Sequence, residues 1–352
     1  MILIDDKLTA LCTAMQHYDD VIPFTGGQLT RADVLASKAD SLLTRSTTAV
    51  NASLLAGSNV RFVGTATSGT DHIDLDWCAA NNIVVADAAG TNANAVAEWV
   101  MAVVAHLGID HNHTAGIIGY GHVGSRVERM FTMLGFRTLV NDPPRQRAGL
   151  PVPNAVALDE LLRQSSMVTL HVPLTTRGPE RTENLITHGE LGLLPSGAIL
   201  INAARGGVLN ESDALAWMFR GGRIIADTFA NEPTISVEFA RACLLATPHI
   251  AGHTLNAFVD ASRNIGQAWC VWKGTSPDHV IRECTLAPPL PMPLTVSDVE
   301  TGAWRSVVES RGLLTDAALL QELDSSLSSN DVGRRFSLIR KHYPLRQETF
   351  LL

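Results

Sequence analysis

The chain has 352 residues, 46% hydrophobic and 18% charged, with a formal net charge of -8. That length exceeds a single domain and calls for two or three, and an acidic balance without a lysine/arginine block excludes a nucleic-acid or anionic-membrane surface. No apolar run approaches the ~18 residues of a membrane span, and MILIDDKLTA carries acids where a secretion signal needs bases, so a cytoplasmic protein is expected.

Short β-branched runs alternate with helical patterns along the chain, the mark of parallel α/β sheets. The first ninety or so residues predict strands at Ile2–Ile4, Ser41–Thr44, Arg61–Val63 and Ile83–Val85, with helical segments such as Lys7–His17 and Ala52–Leu55 between them. Ala93–Leu107 is apolar but interrupted by Asn94, Glu98 and His106, so it reads as a buried helix crossing from a first lobe to a second. Ala115–Ile118 then runs into Gly119-Tyr120-Gly121-His122-Val123-Gly124, followed by a helical pattern over Ser125–Leu134, a strand at Thr138–Val140 and Asp142. Further strands are expected at Met167–Leu170, Ala198–Ile201 and Arg223–Ala226, and a short apolar run, Cys243–Ala246, leads into Thr247-Pro248-His249. Thr254–Lys273 reads as a second crossing helix that returns the chain to the first lobe, and Leu286–Leu294 is a proline-rich linker. Beyond it, Ala317–Leu327 and Gly333–His342 are helical, in a piece too small to bury much surface alone. The five cysteines are scattered without a CxxC pair and read as reduced thiols, and no cysteine/histidine cluster offers a metal site.

Two sets of residues carry chemistry. The strand–GxGxxG–helix–strand–acid unit is what dinucleotide binding needs: Gly119 for the tight turn, Gly121 for close approach of a pyrophosphate, and Gly124 for helix–strand packing. His122 and Val123 open the helix, whose N-terminal N–H groups face the phosphates. Asp142, after seventeen intervening residues, suits the ribose hydroxyls and repels a 2′-phosphate, favouring NAD over NADP. The second set lies at three successive strand ends: Arg205 in NAARGG, Glu232 in ADTFANEP and His249 in TPHIAGHT. An arginine fork binds a carboxylate, a histidine takes a hydroxyl proton, and a neighbouring carboxylate orients the ring. Together they suit hydride transfer from a 2-hydroxy acid, in a cleft between lobes at the carboxyl ends of the strands.

In order, GYGHVG, Asp142, NAARGG, ADTFANEP and PHIAGHT resemble the D-isomer-specific 2-hydroxyacid dehydrogenase family. Thr44–Asn51, Phe62–Asp74, Asn141–Arg145 and the tail Arg335–Tyr343 narrow the resemblance to a branch acting on a small phosphorylated 2-hydroxy acid. It implies two doubly wound parallel-sheet lobes: a flavodoxin-like substrate lobe over 1–92, completed by about 254–285, and a Rossmann NAD domain over 93–253. After the linker at 286–294, it implies a C-terminal dimerisation region over 295–352 and a homodimer. Arg205 becomes the carboxylate anchor, Glu232 the partner of the catalytic histidine, and His249 the acid/base. Asp142, Val172, Asp227 and Gly252 match cofactor-contacting positions, and Ser46, Thr67 and His253, with Arg45 beside them, match a substrate and phosphate seat. The chain departs from the pattern in having His253 for a tyrosine, Val172 for a threonine, and Ala230-Asn231 for Glu-Gly. Two other readings are a phosphoglycerate or glyoxylate/hydroxypyruvate dehydrogenase and a catalytically idle NAD sensor. The intact Arg205, Glu232 and His249 argue against the sensor.

Overall fold

The computed structural model describes residues 1–286, 291–309, 312–324 and 326–352. Contacts divide the chain into two units, Met1–Asn92 with Thr254–Leu290, and Ala93–His253 with Pro291–Leu352.

In the first unit five parallel strands, β1 (Ile2–Asp5), β2 (Val21–Phe24), β3 (Ser41–Thr44), β4 (Phe62–Thr65) and β5 (Val84–Ala86), lie in the order β2-β1-β3-β4-β5. That is the flavodoxin-like doubly wound order. Strand β2 has no counterpart among the sequence expectations. Its proline, Pro23, masks it, and the strand occupies the sheet edge, where a missing N–H is tolerated. Helix Leu255–Lys273 begins with Thr254 accepting the Ala257 N–H and packs its buried face, Ala261, Ile265 and Trp269, on Leu43, Phe62 and Ile4. The indole N–H of Trp269 donates to Ser41 Oγ at 2.9 Å, which satisfies its polar edge inside the core.

The second unit carries six parallel strands: β6 (Thr114–Ile118), β7 (Arg137–Asn141), β8 (Met167–Leu170), β9 (Ile199–Asn202), β10 (Arg223–Ala226) and β11 (Leu245–Ala246). Their order is β11-β10-β9-β8-β6-β7. A single bridge from Val140 to Ala155 continues the sheet beyond β7, at the place of the third Rossmann strand. The order reverses between β6 and β8, which sets the topological switch point beside the glycine-rich turn. Of the expected run Cys243–Ala246, only Leu245–Ala246 pairs, because Cys243 still caps helix Val237–Ala242.

Helix Ala93–His106 is buried along all but its last residue. Its polar members have partners from the chain's far end. Asn94 accepts the Leu352 N–H at 2.6 Å and donates to Glu348 at 2.7 Å, while Glu98 accepts the Thr349 N–H at 3.1 Å. Leu294, Trp304, Val308, Tyr343 and Phe350 share that helix's core, so the C-terminal segment packs into this unit. Residues 287–290 of the proline-rich stretch lie outside the described residues. Its end, Met292–Pro293, forms β12 and pairs in parallel with β13 (Phe350–Leu351). The expected helix over Ala317–Leu327 is instead helix Leu313–Ala318 continued by a tighter turn, Leu319–Glu322. Helix Ser329–His342 contains the other expected segment, and Ser328 caps it by accepting the Asp331 N–H. Among the described residues no helix is long and apolar enough to cross a membrane.

Candidate active site

The glycine-rich turn leaves β6 with Gly119 at φ 93, a left-handed conformation that glycine adopts without strain. A Cβ there would stand 2.7 Å from the His171 carbonyl and 2.9 Å from Val172 Cγ1, so the β6 and β8 ends touch backbone to backbone. At Gly124 a Cβ would overlap the Gly119 carbonyl, which is how the helix starts so close to the strand. Gly121 differs, since a Cβ built there meets nothing within 4 Å. Gly121 is also the N-cap of helix His122–Met133 and supplies no side-chain cap, which leaves first-turn N–H groups for another acceptor. His122 is exposed and Val123 half-buried on that turn. Asp142 Oδ2 accepts the Tyr120 N–H at 2.7 Å, and its Oδ1 accepts the Arg145 N–H at 2.9 Å and caps the next helix. Each oxygen keeps a lone pair for a further donor. Open space over an uncapped helix start, with a carboxylate alongside, fits the pyrophosphate and ribose of a dinucleotide.

The next strand ends are tied to one another. Asn202, closing β9, donates to the Arg205 carbonyl at 3.0 Å and accepts the Ala204 N–H at 3.1 Å, so it shapes the loop that presents half-buried Arg205. Gly206 lies against the Phe229–Ala230 peptide so closely that any Cβ would overlap it. The Arg205 loop and the Glu232 loop are therefore in direct contact. Asp227, at the end of β10, is 1% exposed. Its oxygens accept Thr247 Oγ1 at 2.6 Å and the N–H groups of Ile250 and Ala251 at 2.8 and 2.9 Å. Burial raises its pKa, with His249, Thr247 and the two N–H groups opposing. Asp227, expected as a cofactor contact, has its carboxylate inside the fold, where it braces the loop that carries His249.

His249 stands at φ 55, a left-handed conformation costing a β-carbon residue on the order of 1 kcal/mol. The hydrogen bonds that Asp227 accepts from Thr247 and Ile250, on either side of it, hold that conformation in place. Its Nδ1 meets Glu232 Oε2 at 2.6 Å, and Glu232 Oε1 accepts the Phe229 N–H at 2.9 Å. Burial works to raise the Glu232 pKa, but His249, the Phe229 N–H and Arg340 outweigh it and hold the group below its ordinary value. Glu232 is therefore an ionised partner that favours one orientation of the ring. The residues Arg205, Glu232 and His249, chosen from separate motifs, are thus on adjacent strand ends, with Glu232 and His249 in contact.

Two side chains of this site were missed from sequence. Arg340, from helix Ser329–His342, places Nη1 4.0 Å from Glu232 Oε2. Glu211, from helix Glu211–Met218, accepts the Ala230 N–H at 2.7 Å. Arg340 falls in the tail Arg335–Tyr343, whose resemblance pointed to a dimer and not to this site, and Glu211 belongs to no motif. Gly252 and His253 follow His249 in the same turn, both half-buried, and the His253 ring lies 5.9 Å from that of Tyr343.

In the first unit, Arg45 follows β3 and Thr67 follows β4, which are paired neighbours. Arg45 Nε lies 3.1 Å from Oδ1 of Asp5, a fully buried carboxylate that the sequence reading did not single out. Ser46 is exposed. Thr67 donates to the Gly69 carbonyl at 2.9 Å and lies 2.8 Å from Thr65 Oγ1, which in turn meets His72.

Residues 92–251 match the family model described as D-isomer specific 2-hydroxyacid dehydrogenase, NAD binding domain. The chain is 35% identical to an erythronate-4-phosphate dehydrogenase of Pseudomonas aeruginosa, across 99% of this chain and 93% of the relative. It is 36% identical to one from Pectobacterium carotovorum, across 99% and 92%. Among solved structures, NAD-bound 3-phosphoglycerate dehydrogenase of Entamoeba histolytica superposes with a TM-score of 0.64 at 23% identity, covering 78% of this chain and 96% of that one.

Proposed function

The chain belongs to the D-isomer-specific 2-hydroxyacid dehydrogenase family with NAD as its cofactor, and we propose that it oxidises 4-phospho-D-erythronate at the C2 hydroxyl to 2-oxo-3-hydroxy-4-phosphobutanoate. The observation that carries this reading is the 2.6 Å contact between His249 Nδ1 and Glu232, on strand ends beside Arg205. With Nδ1 engaged, Nε2 of His249 is the nitrogen that takes the hydroxyl proton, and the ionised Glu232 stabilises the imidazolium that results. Arg205 holds the substrate carboxylate through its planar fork and polarises the reacting oxygen. Bound NAD supplies the hydride acceptor. Its pyrophosphate suits Gly121 and the helix start at His122–Val123, and Asp142 suits the ribose hydroxyls. Val172 (packed on Gly119), Gly252 and Asp227 are the further cofactor contacts, and Asp227 also braces the His249 loop. Arg45, Ser46 and Thr67 form the phosphate seat, a cation with two hydroxyls, and His253 is the further substrate contact.

The product is a phosphorylated 2-oxo acid that suits the supply of pyridoxal 5′-phosphate biosynthesis in the cytoplasm. We infer a homodimer formed through the C-terminal segment, where Met292, Leu338, Leu345 and Leu351 are exposed apolar side chains. Light scattering tests this, and a monomer refutes it.

The functional test follows NADH absorbance with 4-phosphoerythronate, unphosphorylated erythronate, 3-phosphoglycerate, and glyoxylate or hydroxypyruvate in reverse. Turnover confined to the first is expected. Equal kcat/KM with and without the phosphate removes the phosphate seat from the reading.

A further inference from the structure

The first unit has a topological switch point of its own. Its strand order turns between β1 and β3, and ligands of such sheets sit in the crevice at the carboxyl ends of the strands that part there. Asp5 closes β1 and Arg45 follows β3, so the two flank that crevice. Asp5 is fully buried. Its Oδ1 accepts the Lys7 N–H at 3.0 Å and lies 3.1 Å from Arg45 Nε, an ion pair off the line of a hydrogen bond. Its Oδ2 has no hydrogen-bond partner among the described residues and is walled in by Gly26, where a Cβ would overlap both it and Thr47 Oγ1. We propose that Asp5 is a positioning residue for phosphate recognition: it holds the Nε edge of Arg45, so that the two terminal nitrogens are what the crevice offers to a phosphomonoester. This rests on Arg45 as part of the phosphate seat.

A guanidinium has two donor edges, one through Nε and one formed by the terminal nitrogens, and either can meet an oxyanion. A buried carboxylate cannot follow the side chain, so pairing at Nε fixes which edge is left. Among the described residues no other group pairs with the Arg45 guanidinium. Without Asp5 the long side chain would visit other rotamers, and ordering it again would oppose binding. Asp5 also offsets part of the arginine charge. Direction outweighs that loss, because water screens charge at a partly exposed seat but does not restore geometry. Folding by itself gives no reason for Asp5, since an acid buried with an unpartnered oxygen costs stability. Its neighbour Asp6 is engaged elsewhere, accepting the Thr25 hydroxyl at 2.9 Å. The N–H groups of Ser46 and Thr47 lie at the corners of the turn that the Thr48 N–H closes on the Arg45 carbonyl. They have no hydrogen-bond partner among the described residues and can complete the phosphate's shell.

Lysine separates this arrangement from simple charge. It has no second edge, so its one ammonium at position 45 would pair with Asp5 and be withdrawn from the phosphate. The test compares Asp5→Asn, Arg45→Lys and the double variant with the wild type. KM and kcat are measured for 4-phosphoerythronate oxidation by the NAD-loaded enzyme, and the Kd of inorganic phosphate by phosphorus NMR. Asn keeps the volume of Asp5 and the acceptor for the Lys7 N–H, so the strand end stays intact. Asp5→Asn should raise KM and the phosphate Kd by about 3–10-fold without a matching fall in kcat. Arg45→Lys should weaken both by about tenfold or more. Adding Asp5→Asn to Arg45→Lys should then recover about threefold, the opposite sign to its effect beside arginine. Wild-type values for Asp5→Asn, or a further loss in the double variant, overturn the proposal. If Asp5→Asn does not fold, Arg45→Lys decides alone, and a wild-type phosphate Kd in that variant overturns it. An unchanged phosphate Kd in Arg45→Ala would remove Arg45 from the seat, and the proposal with it; a weakened Arg45→Ala beside a wild-type Asp5→Asn would leave the seat standing and sink only the role of Asp5.

Discussion

The polar strand ends of the two units are built by different means. In the NAD-binding unit the working residues are held by carboxylate-to-backbone hydrogen bonds: Asp227 on the His249 loop, Glu232 on Phe229, and Glu211 on Ala230. In the first unit, Thr67 rests on neighbouring hydroxyls and one carbonyl, and Arg45 on a single buried acid, Asp5. Proton transfer fails if a ring turns by tens of degrees, so that region needs braces that fix backbone. A phosphate is large, doubly charged and rich in acceptors, and a cation with flexible hydroxyls can follow it.

Breaking the braced region should have the largest effects. His249→Ala should cost about 10²–10⁴-fold in kcat by removing the base, with NADH affinity by fluorescence unchanged. A loss under tenfold would place the proton transfer elsewhere. Asp227→Ala would leave the N–H groups of Ile250 and Ala251 and the Thr247 hydroxyl without their acceptor. Roughly 2–4 kcal/mol of unfolding free energy should be lost in a denaturant titration, together with turnover as His249 drifts. Unaltered stability would show that the brace is dispensable.

The first unit should respond through affinity. Arg45→Ala should raise KM for a phosphorylated substrate by about 10–100-fold and change kcat little, the pattern of uniform binding. Weakening of wild-type binding by added salt should shrink in the variant. A fall in kcat with KM constant would instead put Arg45 among the braced, transition-state group. The smallest effect is expected at the cofactor's ribose. Asp142→Ala should lower the NAD/NADP preference by about tenfold, since acceptor and repelling charge go together. An unchanged ratio would detach Asp142 from the ribose.

Which parts of this were readable in the sequence follows from range. The glycine-rich turn, Asp142 and the motifs of Arg205, Glu232 and His249 depend on short spacings after apolar strands, and those spacings are written in consecutive residues. Edge strand β2 was hidden because Pro23 breaks the propensity pattern, though not the edge pairing itself. Asn94 and Glu98 marked their helix as buried but could not reveal their partners, since Glu348 and Leu352 lie at the other end of the chain. The inward turn of Asp227, the approach of Arg340 to Glu232 and of Glu211 to Ala230, and the burial of Asp5 against Arg45 each join elements far apart in sequence. Local pattern fixed which chemistry the strand ends carry, because strand, turn and helix starts are short-range. Tertiary structure alone decided which charges meet, because burial and proximity, not residue type, set their pKa values and geometry.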